Sequence, residues 1–185
     1  MSNSVAVLWN NTAFDIETFS GTVDILNKVP SGREKTWSLI HGAAFVAYKT
    51  YGGDYDDDVE GYLELVDNLS AIPTRQELLN AELDLLRAID WNVPSRSMAQ
   101  RASQYLLDGS GELRVPLDAF EYAVAFVSAL AVPEWANDVL KALAAASLSM
   151  YRAKQTGTLC DIPDSVDRVL LARYLNVLFN AQNLA

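Results

Sequence analysis

Residues 74–91, TRQELLNAELDLLRAIDW, carry the clearest helix signal in the chain. Thr74 and Glu77 have the spacing of a capping box, in which each side chain accepts a hydrogen bond from the other residue's backbone amide. At a rotation of about 100° per residue, most of the leucines that follow and Ile89 fall within a sector of about 120°. The pattern predicts an amphipathic helix that begins at residue 75 and ends near Ile89.

Glu82 interrupts the apolar face of this helix, since it projects in the middle of the sector of leucines. A carboxylate that is buried without a partner costs several kcal/mol, so Glu82 is expected to pair, to take up a proton or to bind something. One interpretation is an intramolecular ion pair or a glutamate solvated at the edge of the face. The other is a polar contact inside an apolar docking surface.

Lys49 raises the same question, because it ends an earlier helix whose preceding turn is apolar or aromatic. It could interact with the C-terminus of its own helix or extend its charge to water. Alternatively, it could be the partner of Glu82 or a donor to another chain.

The remaining helix signals cover most of the chain. Ser31 and Glu34 form a second capping-box pattern, Gly52-Gly53 is expected to end the helix that follows in a left-handed conformation, and Pro116 suits a first helical turn. Besides the helix at 75–89, we predict helices at about 13–28, 33–50, 57–69, 97–107 (starting at Ser95 or Ser97), 116–131, 134–154 and 164–181. The chain is therefore predicted to be all-α, with a division near 91–97.

The charge balance restricts the partners. The chain has 185 residues, 24 acidic and 14 basic, and a net charge of −10. No cluster of Lys and Arg could release counterions from nucleic acid or attract an anionic membrane, so a protein with a basic or mixed surface is the expected partner. No uncharged apolar run reaches the roughly 18 residues of a membrane span. The N-terminus lacks the basic region of a signal peptide.

Catalytic and metal-binding signals are weak. Cys160 is the single cysteine and His41 the single histidine, so neither an internal disulfide nor a Cys/His zinc cluster can form. A reducing compartment is the simplest interpretation. His41 lies in an apolar stretch and is predicted to belong to the core rather than to a catalytic set. The acidic residues 54–58 are predicted to be a solvated turn, and a calcium site there would lack the EF-hand spacing. We expect no metal and no cofactor.

Two segments resemble the cyclin family. Residues 39–49, LIHGAAFVAYK, are similar to the third helix of a cyclin box, which is rich in small residues and ends in Ala-x-Lys. Residues 78–93, LLNAELDLLRAIDWNV, are similar to the fifth helix, with a Glu followed by leucines and then an aromatic-x-hydrophobic pattern. Pro94-Ser95 resembles the linker to a second repeat, and residues 136–154 resemble the third helix of that repeat.

The resemblance covers about residues 15–180 and implies two tandem cyclin-box-like repeats, at 13–93 and 95–182. The first and last helices of this arrangement are shortened or missing, which suggests a compact, divergent cyclin of viral or parasitic type. After the lysine, the family has an aromatic residue and one or two Glu, whereas this chain has residues 50–53, TYGG. Acidic contacts with a kinase would be absent at these positions.

For function, the resemblance implies a regulatory subunit rather than an enzyme, one that binds and activates a cyclin-dependent Ser/Thr protein kinase in cell-cycle control. Such a protein is intracellular, in the nucleus or the cytoplasm. The residues expected to bind the kinase are Lys49, Glu82, Leu83, Leu86, Trp91 and Val93. An alternative is a cyclin-fold adaptor that binds a protein, or a kinase without activating it. A third possibility is a small enzyme or an unrelated helical bundle.

Overall fold

The structure, a computed structural model, describes residue 7 and residues 10–52, 59–69, 71–130 and 137–182. Within these ranges the chain forms eight α-helices and no β-strand, which confirms the all-α prediction. The helices are α1 (Ile16–Lys28), α2 (Trp37–Tyr51), α3 (Val59–Leu65), α4 (Arg75–Ala88), α5 (Met98–Ser103), α6 (Leu117–Ala129), α7 (Asp138–Arg152) and α8 (Arg168–Gln182).

The contacts divide the chain into two compact units, the N-terminal unit Met1–Ser97 and the C-terminal unit Met98–Ala185. Each unit has a central helix with small side chains, α2 in the first and α7 in the second. The assignment of the units as cyclin-box-like repeats stays a prediction.

In the N-terminal unit, α2 packs against both α1 and α4. All its residues from Leu39 to Tyr48 are buried, because glycines and alanines let the neighbouring helices approach closely. A Cβ on Gly42 would overlap the backbone carbonyl of Ala81 in α4, and a Cβ on Gly21 in α1 would overlap the ring of Tyr51. Gly42 therefore sets the distance between α2 and α4.

The capping box of α4 is confirmed. The Thr74 side chain accepts a hydrogen bond from the Glu77 amide at 3.3 Å, and Glu77 Oε2 accepts one from the Thr74 amide at 2.8 Å. The Thr74 hydroxyl also donates to Glu77 Oε2, at 2.7 Å. The hydrogen bonds that the Thr74 amide and hydroxyl donate to the Glu77 carboxylate lower its pKa.

The predicted capping box at Ser31 and Glu34 is wrong. The helix begins four residues later than expected, at Trp37, and its N-cap is Thr36, whose hydroxyl accepts from the Leu39 amide at 3.3 Å. The preceding residues form a turn in which the Arg33 amide donates to the Pro30 carbonyl at 2.9 Å. Gly52 has a φ of −58°, so it does not end α2 in a left-handed conformation, and Gly53 lies outside the described residues.

In the C-terminal unit, α7 packs against α5, α6 and α8. Several helices of this unit are shorter than predicted. The helix predicted at 97–107 stops at Ser103, because Leu107 pairs with Leu113 in an isolated β-bridge around the turn between them. Pro116 is the N-cap of α6 rather than its first residue. The start predicted for α7 at residue 134 lies outside the described residues.

The last helix, α8, begins at Arg168 rather than near Asp164. Asp167 provides the cap, because its Oδ1 accepts from the amides of Val169 at 2.9 Å and Leu170 at 3.1 Å. Pro163 instead starts a separate turn, closed by a hydrogen bond from the Val166 amide to its carbonyl at 3.0 Å.

Candidate protein-binding face

Lys49 and Glu82, which are 33 residues apart in the sequence, form an ion pair between α2 and α4. Lys49 lies in the last turn of α2, and its Nζ donates to Glu82 Oε1. The lysine side chain keeps 30% of its surface exposed and the glutamate side chain 15%. The pair thus lies at the edge of the core, where its charges still reach water.

The ring of Phe45 makes a second contact with Lys49, the cation of this pair. Phe45 precedes Lys49 by one helical turn, is fully buried, and has its ring centroid 4.5 Å from Lys49 Nζ. An ammonium group at this distance over an aromatic face is attracted by the ring quadrupole. Lys49 is therefore held from two sides, by a carboxylate and by a ring.

The apolar residues of α4 separate into an inward and an outward set. Leu78, Ala81 and Leu85 are buried, whereas Leu83 is 43% exposed and Leu86 is half-buried. Glu82 marks the boundary between the two sets rather than the middle of a single buried stripe. A band of apolar side chains therefore remains uncovered next to the ion pair.

Trp91 follows this helix and is 63% exposed, which is unusual for a side chain of its size. Asp90 and Trp91 both have left-handed backbone conformations, with φ of 55° and 58°. This conformation costs a non-glycine residue roughly 1–2 kcal/mol. Hydrogen bonds offset the cost, since the Trp91 amide donates to the Leu86 carbonyl at 2.8 Å.

Further hydrogen bonds hold the segment after Trp91 against the N-terminal unit. The Val93 amide donates to the Trp91 carbonyl at 3.0 Å, and the Tyr51 hydroxyl donates to the Pro94 carbonyl. Val93 is half-buried. The turn at 90–94 is thus an ordered element that fixes where the Trp91 side chain leaves the surface.

The structure brings together Lys49 and Glu82, and it places the other four predicted kinase-binding residues on α4 or in the turn that follows it. The acidic residues 54–58 lie outside the described residues. Sequence reasoning missed the contact of Phe45 with Lys49, although their spacing of four residues on a helix was a usable signal.

His41 lies in the core, as predicted, and both of its ring nitrogens have partners. Nε2 is 2.9 Å from the Ala71 carbonyl oxygen, and Nδ1 is 2.9 Å from the Tyr62 hydroxyl. Because a carbonyl can only accept, we assign the proton to Nε2, and Nδ1 then accepts from Tyr62. Burial lowers the pKa of His41, and the hydrogen bond to Ala71 opposes part of this effect. These contacts suit a structural histidine rather than a general base.

A shallow groove of about 260 Å³ adjoins His41. Its rim includes the exposed side chains of Trp37 and Ile72. The complete lining is Trp37, Ser38, His41, Ala71, Ile72, Pro73, Glu77 and Ala81. Local sequence patterns do not indicate this groove, because its walls come from segments about 30 residues apart that only the fold brings together.

Other kinds of site find no support in the parts of the chain that the structure describes. No group of three or more His, Cys, Asp or Glu side chains in those parts is arranged to hold a metal ion. Cys160 is a free thiol there, and none of the helices described between residues 16 and 182 combines the length and apolar character needed to cross a bilayer.

Comparison of the chain with protein-family models, with curated proteins and with solved structures finds no match in any of the three. The functional assignment therefore depends on the sequence pattern and on the geometry of one surface. This surface consists of Lys49, Glu82, Leu83, Leu86, Trp91 and Val93, and we call it the α2–α4 face.

Proposed function

We propose that this chain is a regulatory subunit that binds a cyclin-dependent Ser/Thr protein kinase through the α2–α4 face and activates it in cell-cycle control. The observation that carries the proposal is the Lys49–Glu82 ion pair. It joins the two helices that resemble the third and fifth helices of a cyclin box, and it does so at the surface. The protein itself is not an enzyme in this proposal, and it acts inside the cell, in the nucleus or the cytoplasm.

The physical basis of binding is a charge pair beside an uncovered apolar band. Leu83 and Trp91 offer area that a partner helix can bury. The ammonium and carboxylate groups can exchange part of their mutual contact for hydrogen bonds with the partner, and this fixes the register of docking. Tryptophan is among the residues that contribute most to protein interfaces.

The activating step implied by the resemblance takes place on the kinase. The mobile αC helix of a protein kinase carries a glutamate that must pair with the lysine of strand β3 before phosphoryl transfer. A subunit that holds this helix against the α2–α4 face stabilises the active arrangement. The free energy for the shift comes from the difference in affinity for the active and inactive kinase conformations.

The test is binding and activation measured together on a panel of purified cyclin-dependent kinases, by calorimetry and by peptide phosphorylation. We expect Trp91→Ala to weaken binding at least about tenfold, as for an interface residue worth about 2 kcal/mol. Lys49→Met and Glu82→Gln should weaken it as well. Tight binding that none of the three substitutions changes would contradict the proposed face.

Asp84→Asn is the matched control. Asp84 is also a carboxylate on α4, lies about 200° around the helix from Glu82, and forms an exposed pair with Arg87 at 3.7 Å. Its loss should leave kinase binding unchanged.

A melting experiment separates a docking role of the Lys49–Glu82 pair from a structural one. The double substitution Lys49→Ala with Glu82→Ala removes both charges, so no unpaired charge remains. Because the simultaneous loss of both members of a largely buried pair is often nearly neutral for stability, we expect little change in Tm together with a clear loss of kinase binding. A large fall in Tm with kinase binding retained would assign the pair to stability alone.

A second candidate function, an adaptor that binds its partner without activating it, is favoured by one observation. Tyr51 occupies the segment where the cyclin family has acidic contacts, and it is buried against Gly21, with its hydroxyl on the Pro94 carbonyl. The end of α2 therefore offers a partner no carboxylate at residues 50–52. Stoichiometric kinase binding with unchanged phosphorylation would favour the adaptor.

A further inference from the structure

The C-terminal unit contains an open cavity of about 570 Å³ at the end of α7. Its lining consists of Tyr151, Arg152, Lys154, Gln155 and Thr156. Two of these five side chains are cations and none is a carboxylate, although the chain as a whole has a net charge of −10. The cavity is therefore a local exception to the acidity of the molecule.

Arg152 is fixed in place but not neutralised. Its guanidinium carbon lies 3.6 Å from the centroid of the Tyr122 ring, and Tyr122 in turn stacks on Phe126 at 5.8 Å. Within the described residues neither Arg152 nor Lys154 forms an ion pair. A guanidinium stacked on a ring keeps its N–H groups free at the edge, where they can donate to an anion.

Lys154 occupies a backbone position that normally belongs to glycine. Its φ is 52°, and the amide of the next residue, Gln155, donates to the Met150 carbonyl at 3.0 Å. This hydrogen bond closes a helix C-terminus around a left-handed residue, the position where glycine is strongly preferred. A lysine there costs stability, and such costs recur at functional sites.

We propose that this cavity binds a phosphorylated serine or threonine side chain of a peptide. The Arg152 fork, the Lys154 ammonium and the polar groups of Gln155 and Thr156 provide enough donors for the three terminal oxygens of a phosphate monoester. The exposed ring of Tyr151, which contacts Phe179 at 4.7 Å, offers an apolar surface to the adjoining peptide residue.

The composition of the cavity favours a phosphopeptide over other polyanions. A membrane surface or a nucleic acid is held by many cations distributed along an extended surface, whereas this cavity has two. The site lies wholly within the C-terminal unit and uses no residue of the α2–α4 face. The proposed phosphopeptide site can therefore be tested independently of the proposed kinase binding.

The test is fluorescence anisotropy of the full chain with a labelled peptide pool that has a central phosphoserine and degenerate flanking positions. We expect saturable binding, at least about tenfold tighter than that of the matched serine pool. Arg152→Gln and Lys154→Gly should each weaken binding of the phosphoserine pool roughly fivefold or more. Lys141→Gln removes a charge from α7 outside the cavity and should change nothing.

The variant Lys154→Gly also tests whether a loss of affinity comes from unfolding, since glycine suits the left-handed conformation at this position. We expect this variant to melt at the same temperature as the parent chain or higher, so its loss of affinity cannot come from unfolding.

Three results would overturn the proposal. The first is equal affinity for the phosphoserine and serine pools, and the second is unchanged phosphoserine affinity in both cavity variants. The third is binding of inorganic phosphate, or of vesicles that contain phosphatidylserine, as tight as binding of the phosphoserine pool. In that last case the cavity would be a general anion site or a membrane contact. In the first two cases Arg152 and Lys154 would serve only the C-terminus of α7.

Discussion

Glu82 and His41 are both polar side chains on apolar helix faces, but they have different surroundings in the fold. The periodicity of α4 revealed that Glu82 needs an explanation, because a carboxylate inside an apolar sector is costly. It left the choice between an ion pair and a docking contact open, because the partner lies on another helix. For His41, the apolar neighbours predicted burial, but the partners Tyr62 and Ala71 come from distant segments that the sequence does not connect.

The burial of His41 predicts a pH dependence of stability. Its pKa lies below the ordinary value of 6.5, so as the pH falls below 6.5 the unfolded chain binds a proton that the native chain does not. The free energy of unfolding is therefore highest above pH 6.5 and should decrease towards pH 5, by at most about 1.4 kcal/mol per pH unit. Urea titrations monitored by circular dichroism across this range measure the slope.

The variant His41→Gln provides the control for this pH experiment. His41 is the single histidine of the chain, so in the variant the stability should become nearly independent of pH between 7 and about 5.5, above the range where carboxylates titrate. An unchanged slope in His41→Gln would show that other groups cause the effect.

At the scale of helices, the sequence predicts the presence of a helix more accurately than the residues at which that helix begins and ends. The cap at Thr74 was predicted correctly because Pro73 precedes it and a long apolar pattern follows. Ser31 and Thr36 are both good caps by local chemistry, and only the packing of Trp37 onward decides between them. Likewise, the left-handed turn at Asp90 and Trp91 contains no glycine to mark it, so the exposure of Trp91 could not be predicted from local signals.

The close approach of α2 and α4 predicts an unusual sensitivity at Gly42. A methyl group there would overlap the Ala81 carbonyl, which belongs to helix backbone and cannot rotate away. We expect Gly42→Ala to reduce the free energy of unfolding by about 2 kcal/mol, in spite of the higher helix propensity of alanine. Chemical denaturation measures this difference.

Gly32→Ala is the matched control for Gly42→Ala, since an added Cβ at position 32 has nothing within 4 Å. Its effect should lie within about 0.5 kcal/mol of zero. A Gly42→Ala variant as stable as the Gly32→Ala variant would contradict the proposed role of Gly42 as the spacer between α2 and α4.

At the scale of the whole molecule, hydrophobic periodicity was sufficient to predict an all-α chain, because eight separate segments repeat the helical pattern. From composition we predict that nucleic acid and anionic membranes are disfavoured as partners, and this stays a prediction. Neither could predict that a ring holds Arg152, since Tyr122 and Arg152 are 30 positions apart and meet only when α6 packs on α7.

The net charge of −10 predicts how the chain meets a partner with a basic surface. Opposite charges accelerate association, and salt screens this attraction within about 10 Å at 0.1 M ionic strength. We expect the association rate constant with the proposed kinase partner to fall several-fold between low and physiological salt, while the dissociation rate constant changes much less. Stopped-flow mixing at a series of salt concentrations measures both. An association rate independent of salt would argue against a basic partner.

The uncovered band around Leu83 and Trp91 has a further consequence for the free chain. Contiguous apolar surface promotes self-association of a chain that has nothing bound to it. The excess of acidic side chains acts against it, because two copies that each have a net charge of −10 repel one another before their apolar bands can meet. This repulsion opposes aggregation of the free chain. A mutation that brings the net charge closer to zero should therefore cause the free chain to aggregate before it loses its fold.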